Sequence, residues 1–238
     1  MTLASLAPGQ NATGIILSGG GARAAYQVGA LRAVARILKP ATGPFGIICG
    51  TSAGAINAAA LAVHADDFRN GVARLVRLWR NIDVGDVYKA DLATVSAHGM
   101  RWLASVLTGR PGPANAASMF DNRPLRTLLR RELNPARIAA HIADGHLHAL
   151  AVNATSYTTG QAVTFYQGAA AIPAWQRMRR RGEAATIGID HLLGSTAIPF
   201  IFPAARIGKD YFADGSVRQI APLSPALHLG ARRLLVVA

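Results

Sequence analysis

Three short stretches of the chain carry residue types that could do chemistry, and the sharpest is Gly50-Thr51-Ser52-Ala53-Gly54. It matches G-x-S-x-G, the pattern that sets a serine on a tight strand-to-helix turn. Gly50 and Gly54 lack the Cβ atoms that would collide with strand or helix, so Ser52 Oγ would stand above a sheet edge. The N–H groups that follow would face the same point from the positive end of the helix dipole. A Gly/Ser turn that only caps a helix looks alike, so the pentapeptide needs a partner. A serine hydroxyl is a weak nucleophile until a base takes its proton. Seven histidines are available (His64, His98, His141, His146, His148, His191, His228), none in a segment resembling a catalytic loop. Asp214-Gly215-Ser216 offers a better base, because an aspartate between a short strand (Tyr211 to Ala213) and a glycine turn can point at that edge. Asp-Gly is also an ordinary turn.

The third stretch is Ser18-Gly19-Gly20-Gly21-Ala22-Arg23-Ala24. A dinucleotide site built on G-x-G-x-x-A needs an acidic residue about 20 positions further on, and the first acid in the chain is Asp66. A P-loop needs G-K-[ST], which is missing. An oxyanion hole remains: Gly19, Gly20 and Gly21, with the N–H of Ala53 in addition, could donate to a carbonyl oxygen as it becomes negative. One such donor is worth roughly 3 to 4 kcal/mol. Arg23 could support the loop or the developing charge, or could serve only as a helix-start residue.

The elements that must hold these groups follow from periodicity. Gly14 to Leu17 is a short apolar run, and Ala22 to Leu38 has helical spacing ended by Pro40. Phe45 to Cys49 and Ala53 to Val63 repeat the strand-turn-helix order, which points to a largely parallel sheet covered by helices. Helical spacing returns over Phe68 to Trp79 and Leu125 to Ala143, with Gly109 to Ala117 expected as a loop and this middle region as a lid or access wall. Leu147 to Val152 and Ala162 to Tyr166, around Thr158-Thr159-Gly160, predict a hairpin or adjacent strands. Short strands are expected at Ala204 to Ile207, Tyr211 to Ala213 and Leu234 to Val237.

The 238 residues, 51% of them hydrophobic, suit one α/β domain from residue 14 onward, preceded by an N-terminal tail over residues 1–13. The tail lacks the charge and apolar core of a secretory signal, and no apolar stretch reaches the ~20 residues of a membrane span. A cytoplasmic protein is the default expectation. The chain stops inside an apolar strand, as expected of one cut before its natural domain end. Cys49 sits in an apolar run and is expected as buried filler. His146 and His148, two apart without an acidic motif, are a weak metal signal, and no metal or cofactor is expected. The net charge of +13 favours anionic partners, with peripheral contact at an anionic membrane surface foremost. Nucleic acid ranks lower, because no aromatics interleave with the arginine clusters around Arg126 and Arg177 to Arg181.

Taken in order, the three motifs resemble the patatin-like phospholipases, a family with G-G-G-x-R-G, G-x-S-x-G and a distant D-G-[GA]. Here they stand as Gly19 to Ala24, Gly50 to Gly54 and Asp214-Gly215-Ser216, and Ser195-Thr196-Ala197-Ile198-Pro199-Phe200 is similar to the family's serine/proline segment. Ala24 and Ser216 depart from the common pattern, both by small residues. The resemblance implies a three-layer α/β/α sandwich with a mostly parallel sheet, a Ser52/Asp214 dyad supported by Arg23, Gly50, Gly54 and Gly215, and hydrolysis of phospholipid or other lipid esters. Competing expectations are an α/β-hydrolase-type triad with His228 as base, a lipid acyltransferase or thioesterase, and a basic lipid-binding module without catalysis.

Overall fold

The computed structural model describes residues 13–40, 42–89, 118–169, 172–219 and 222–238. Residues 1–12 of the expected tail over 1–13, the loop Gly109 to Ala117 and His98 lie outside the described residues, while Thr13 begins the first strand. The elements are β1 (Thr13–Leu17), α1 (Ala24–Leu38), β2 (Ile47–Thr51), α2 (Ala53–Ala62), α3 (Phe68–Asn81), α4 (Val84–Val87), α5 (Arg123–Glu132) and α6 (Ala136–Ala143). There follow β3 (Ala149–Ser156), β4 (Ala162–Gly168), β5 (Trp175–Arg177), β6 (Arg180–Ala184), α7 (Ile189–Thr196), β7 (Ala205–Ile207), β8 (Asp210–Asp214), α8 (Leu223–His228) and β9 (Arg233–Val237).

The strands form one mixed sheet in the order β5-β6-β4-β3-β2-β1-β9. Its centre, β9, β1, β2 and β3, is parallel. The predicted hairpin is β3 and β4, antiparallel and closed by a turn in which Gly160 N–H donates to Ser156 O at 2.9 Å. Alternation along the strands sorts side chains to two faces. Ile15, Leu17, Ile48, Leu150 and Val152 bury against α1, α2, α3, α5, α6 and α7. Ile16, Ile47, Cys49, Ala149 and Ala151 face the other way and meet Ala226 of α8 and Leu229 just beyond it. The expected α/β fold with a helix-covered, mostly parallel centre is what forms. The helical pattern from Leu125 to Ala143 divides into α5 and α6 at Asn134-Pro135, where proline has no N–H and disfavours helix in the residue before it.

The sheet's register brings its two halves to one point. The first five residues of β3 pair with β2, ending at Asn153 opposite Thr51. The last three pair with β8, beginning at Ala154 opposite Asp214. Thus β2 and β8 meet end to end along the same side of β3, and the residue after Thr51 comes beside the last residue of β8.

Candidate active site

At this junction Ser52 is buried, 6% exposed, with φ 54° and ψ −131°. A positive φ in a residue bearing a Cβ costs about 1 to 3 kcal/mol and persists only where neighbours enforce it. Enforcement comes from both sides. Ser52 N–H donates to Ser195 Oγ at 2.9 Å, and Ser195 Oγ donates in turn to Asn153 O at 2.6 Å. Gly50 and Gly54 make the tight path possible. A Cβ at Gly50 would lie 2.5 Å from Ala55 Cα, and one at Gly54 would run into the carbonyls of Leu17 and Ser18. The turn leads into α2, whose alanines let it sit buried on nearly all sides against the sheet.

Asp214 is 3% exposed, and its carboxylate accepts hydrogen bonds from the side chains of Ser52 and Ser216 and from Ser216 N–H, the last at 2.8 Å. Burial pushes its pKa above the ordinary aspartate value, and the three donors pull part of that back. Its backbone is fixed as firmly: Asp214 N–H donates to Ala197 O at 2.8 Å, and Thr155 Oγ1 donates to Asp214 O at 3.0 Å. Gly215 allows the turn that follows, since a Cβ there would strike Asn153 O. Ser52 and Asp214, 162 positions apart in number, are therefore in direct side-chain contact.

The glycine loop lies against this pair. A Cβ at Gly19 would strike Ser216 Oγ and come within 3.1 Å of Ser52 Cβ. Gly21 adopts φ 55°, in the left-handed region, and opens the short turn into α1. Arg23 closes that turn through its N–H to Gly20 O at 3.1 Å, while its side chain is exposed and forms no ion pair among the described residues. Beneath the loop runs a buried polar chain. Trp79 Nε1 donates to Asn57 Oδ1 (2.7 Å), Asn57 Nδ2 to Gln27 Oε1 (3.0 Å), and Gln27 Nε2 to Ser18 O (2.7 Å). It ties α3, α2 and α1 to the end of β1 and so sets the height of the glycines beside Ser52.

The other sequence candidates fall elsewhere. His228 lies at the end of α8 with its ring stacked on Trp175, centroids 4.7 Å apart and planes 12° apart. Burial, and then the charge of Arg177, lower its pKa. Among the described residues the hydroxyl of Ser52 is bonded to Asp214, not to His228. His146 and His148 precede β3, and no group of three or more His, Cys, Asp or Glu able to hold a metal occurs among the described residues. Cys49 is fully buried in the sheet, its pKa pushed up to about 12, which keeps it a thiol. Motif reading passed over Asn153, Thr155 and the chain from Gln27 to Trp79. The signal for two of them was present: Asn153 and Thr155 are polar residues inside the apolar strand Ala149–Ser156, and buried polar groups are held by partners.

No helix among the described residues is long and apolar enough to cross a membrane. Against known proteins, the family model for patatin-like phospholipase matches residues 15–227. No curated protein matches. Among solved structures, VipD from Legionella pneumophila is similar over 94% of this chain and 49% of its own, at 17% identity and a TM-score of 0.54. The type III effector protein ExoU matches over 94% of this chain and 51% of its own, at 18% identity and a TM-score of 0.40. The chain spans about half the length of these structures. With nearly the whole described sheet inside the matched region, the chain belongs to the patatin-like phospholipase family.

Proposed function

We propose that this chain is a serine lipid acyl hydrolase acting on carboxylic esters of phospholipids or related lipids as a phospholipase A, with Ser52 as nucleophile and Asp214 as its base. The observation that carries it is the hydrogen bond from the buried Ser52 hydroxyl to the Asp214 carboxylate, made at an elbow whose positive φ aims that hydroxyl out of the sheet. Burial raises the pKa of Asp214 above the ordinary aspartate value, which makes its carboxylate a better proton acceptor than an ordinary one.

In the reaction Ser52 Oγ attacks the ester carbonyl carbon as its proton passes to Asp214. The carbonyl oxygen becomes negative against Gly19, Gly20 and Gly21 and the N–H of Ala53 at the start of α2, where the helix dipole adds to the donors. The tetrahedral species collapses, and the alcohol leaves with the proton from Asp214. Water then attacks the acyl-serine, giving its proton to Asp214, and the fatty acid departs as Ser52 regains a proton. Gly50, Gly54 and Gly215 hold the geometry, and Arg23 stabilises the loop from its solvent side. The basic surface suits peripheral contact with anionic membranes.

The test is fatty acid release from mixed phospholipid vesicles without calcium, followed by mass spectrometry, for wild type, Ser52→Ala, Asp214→Asn and His228→Ala. Loss in the first two variants alone supports the dyad. Loss in His228→Ala as well, with its fold intact, moves the base to that histidine. Acyl esters of an added alcohol in place of free acid would make the chain a transferase. Salt-sensitive vesicle binding without any product would leave a lipid-binding module.

A further inference from the structure

The sheet edge that carries Ser52 and Asp214 also carries three projecting tips, and strand register fixes where they stand. Ala154 pairs with Asp214, the next residue Thr155 pairs with Ala162, and Ala162 pairs with Arg180. The β3–β4 turn and the β5–β6 turn therefore leave the sheet at this same edge, within three strand spacings, about 14 Å, of Asp214. The third tip follows Ala197, whose carbonyl accepts from Asp214 N–H.

Each tip displays a large apolar side chain to solvent: Tyr157 is 53% exposed, Met178 90% and Phe200 73%. Single exposed apolar residues are ordinary, but these three converge on one edge, and two of the tips contain strained backbone. Arg179, next to Met178, has φ 61°, and Phe200 has φ 66°. Such conformations persist only where neighbours hold them. Arg179 O accepts from Ala162 N–H at 2.9 Å, and Phe200 O accepts from Met119 N–H at 2.8 Å. Trp175, stacked on Tyr166 at 5.0 Å and closed over Gly182, stiffens the hairpin behind Met178.

The charges around the tips are of one sign. Arg177, Arg179 and Arg180 surround Met178 and are exposed, and exposed Arg218 brings its guanidinium to 3.7 Å from where a Cβ on Gly160 would stand, in the β3–β4 turn. None of the four has an ion pair among the described residues. Glu183 and Asp210, on the strands behind, are both held by Arg181, at 2.6 and 3.8 Å. The cleft between α1 and α3 is also basic, with Arg32 and Arg36 on its walls. The exposed apolar residues of that helix beside Arg36, Ile37 and Leu38, lie about 20 Å along α1 from the glycine loop, so docking there would not bring Ser52 to lipid.

We propose that the edge bearing the three tips is a membrane-docking surface. Tyr157, Met178 and Phe200 enter the interface of an anionic bilayer, Arg177, Arg179, Arg180 and Arg218 engage its headgroups, and Ser52 is thereby held at the lipid surface. This surface serves the hydrolase reading and rests on it for its purpose, whereas binding and insertion are measured without turnover.

The test uses the full chain bearing Ser52→Ala, co-sedimented with vesicles of phosphatidylcholine with or without phosphatidylserine. Binding to the phosphatidylserine vesicles is expected, and it should fall with added salt. Met178→Ser/Phe200→Ser should weaken it about tenfold or more, while Ile37→Ser/Leu38→Ser, which removes comparably exposed apolar surface elsewhere, should leave it within about twofold. Arg177→Gln/Arg180→Gln should likewise weaken it about tenfold or more, and Arg32→Gln/Arg36→Gln far less. An environment-sensitive dye on Met178→Cys should shift to the blue when vesicles are added, and the same dye on Ile37→Cys should not; Cys49 is fully buried and stays unlabelled. Absence of binding, equal loss in the paired controls, or an unshifted dye at position 178 overturns the proposal. So does self-association without lipid that Met178→Ser/Phe200→Ser abolishes, which would assign the tips to a second copy of the chain. With Ser52 restored, fatty acid release from the same vesicles separates the two readings. Binding through the tips without release keeps the surface and removes the hydrolase. Release that Met178→Ser/Phe200→Ser does not slow keeps the hydrolase and overturns the surface.

Discussion

Replacing Ser195 by alanine removes one oxygen from a fully buried site and should be felt in both stability and turnover. The hydroxyl accepts from Ser52 N–H at 2.9 Å and donates to Asn153 O at 2.6 Å, so its loss orphans a buried donor and weakens a buried acceptor. An unmet buried group costs about 1 to 3 kcal/mol, and the carbonyl less than the N–H, which puts the total at about 2 to 4 kcal/mol. That is a large share of the roughly 5 to 15 kcal/mol a domain has. The bond also opposes the strain stored at φ 54° in Ser52, so part of the loss should appear as relaxation of the elbow. Displacing a nucleophile by about 1 Å can cost 100-fold, and kcat should therefore fall by about tenfold or more while KM holds. Thr196→Val is the control. It is adjacent and similarly buried, but Thr196 Oγ1 donates back to the carbonyls of Leu192 and Leu193 within α7, so its removal orphans no N–H. Urea unfolding of both variants with fatty acid release at saturating substrate reads the two effects. A stability loss of Ser195→Ala below about 0.5 kcal/mol, or no greater than that of Thr196→Val, would refute the reasoning, as would an unchanged kcat.

Asp214→Asn should abolish release yet raise the melting temperature at neutral pH, because a carboxylate whose folded pKa lies above its unfolded value destabilises the fold once ionised. The gain should vanish below the unfolded aspartate pKa, where both states are protonated; a lower melting temperature at pH 7 contradicts this. The acid limb of kcat/KM should follow one ionisation above the ordinary aspartate value and should not move in His228→Ala. Gly19→Ala, whose Cβ would strike Ser216 Oγ and crowd Ser52, should remove most activity with little change in urea midpoint, since the atom it strikes ends a half-buried side chain that can rotate away. Gly54→Ala should instead destabilise by about 1 to 3 kcal/mol, because its Cβ meets backbone carbonyls of Leu17 and Ser18 that cannot rotate away.

How much of this was legible in the sequence depended on whether a feature is local. Gly50 to Gly54 sits where an apolar run changes to helical spacing, and the turn Thr158-Thr159-Gly160 announces its own hairpin, so both could be placed from neighbours along the chain. The short strands β5 and β6 could not: their sequences, WQR and RRGEA, carry no apolar alternation and only Trp175 as a large apolar residue, and they form as pairing partners at the sheet's end. Ser195 was visible only as part of a family segment, because its task is defined by a backbone N–H far away in number. The chain from Gln27 through Asn57 to Trp79 joins three helices, and no spacing rule connects them.

The pairing of Ser52 with Asp214 depends on strand lengths as much as on the two residues. β3 is eight residues long and β2 five, so three residues of β3 are left for β8 on the same side. Were β2 one residue longer, the end of β8 would be displaced along β3. Were the register of β8 to slip by one, Asp214 would turn to the opposite sheet face, since strand side chains alternate with period two. Thr155 guards that register by donating to Asp214 O, and Ala197 by accepting from Asp214 N–H. The end of a parallel strand thus meets an antiparallel strand abutting it along β3, and in the proposed mechanism this abutment is what would bring Asp214 to Ser52 as its base.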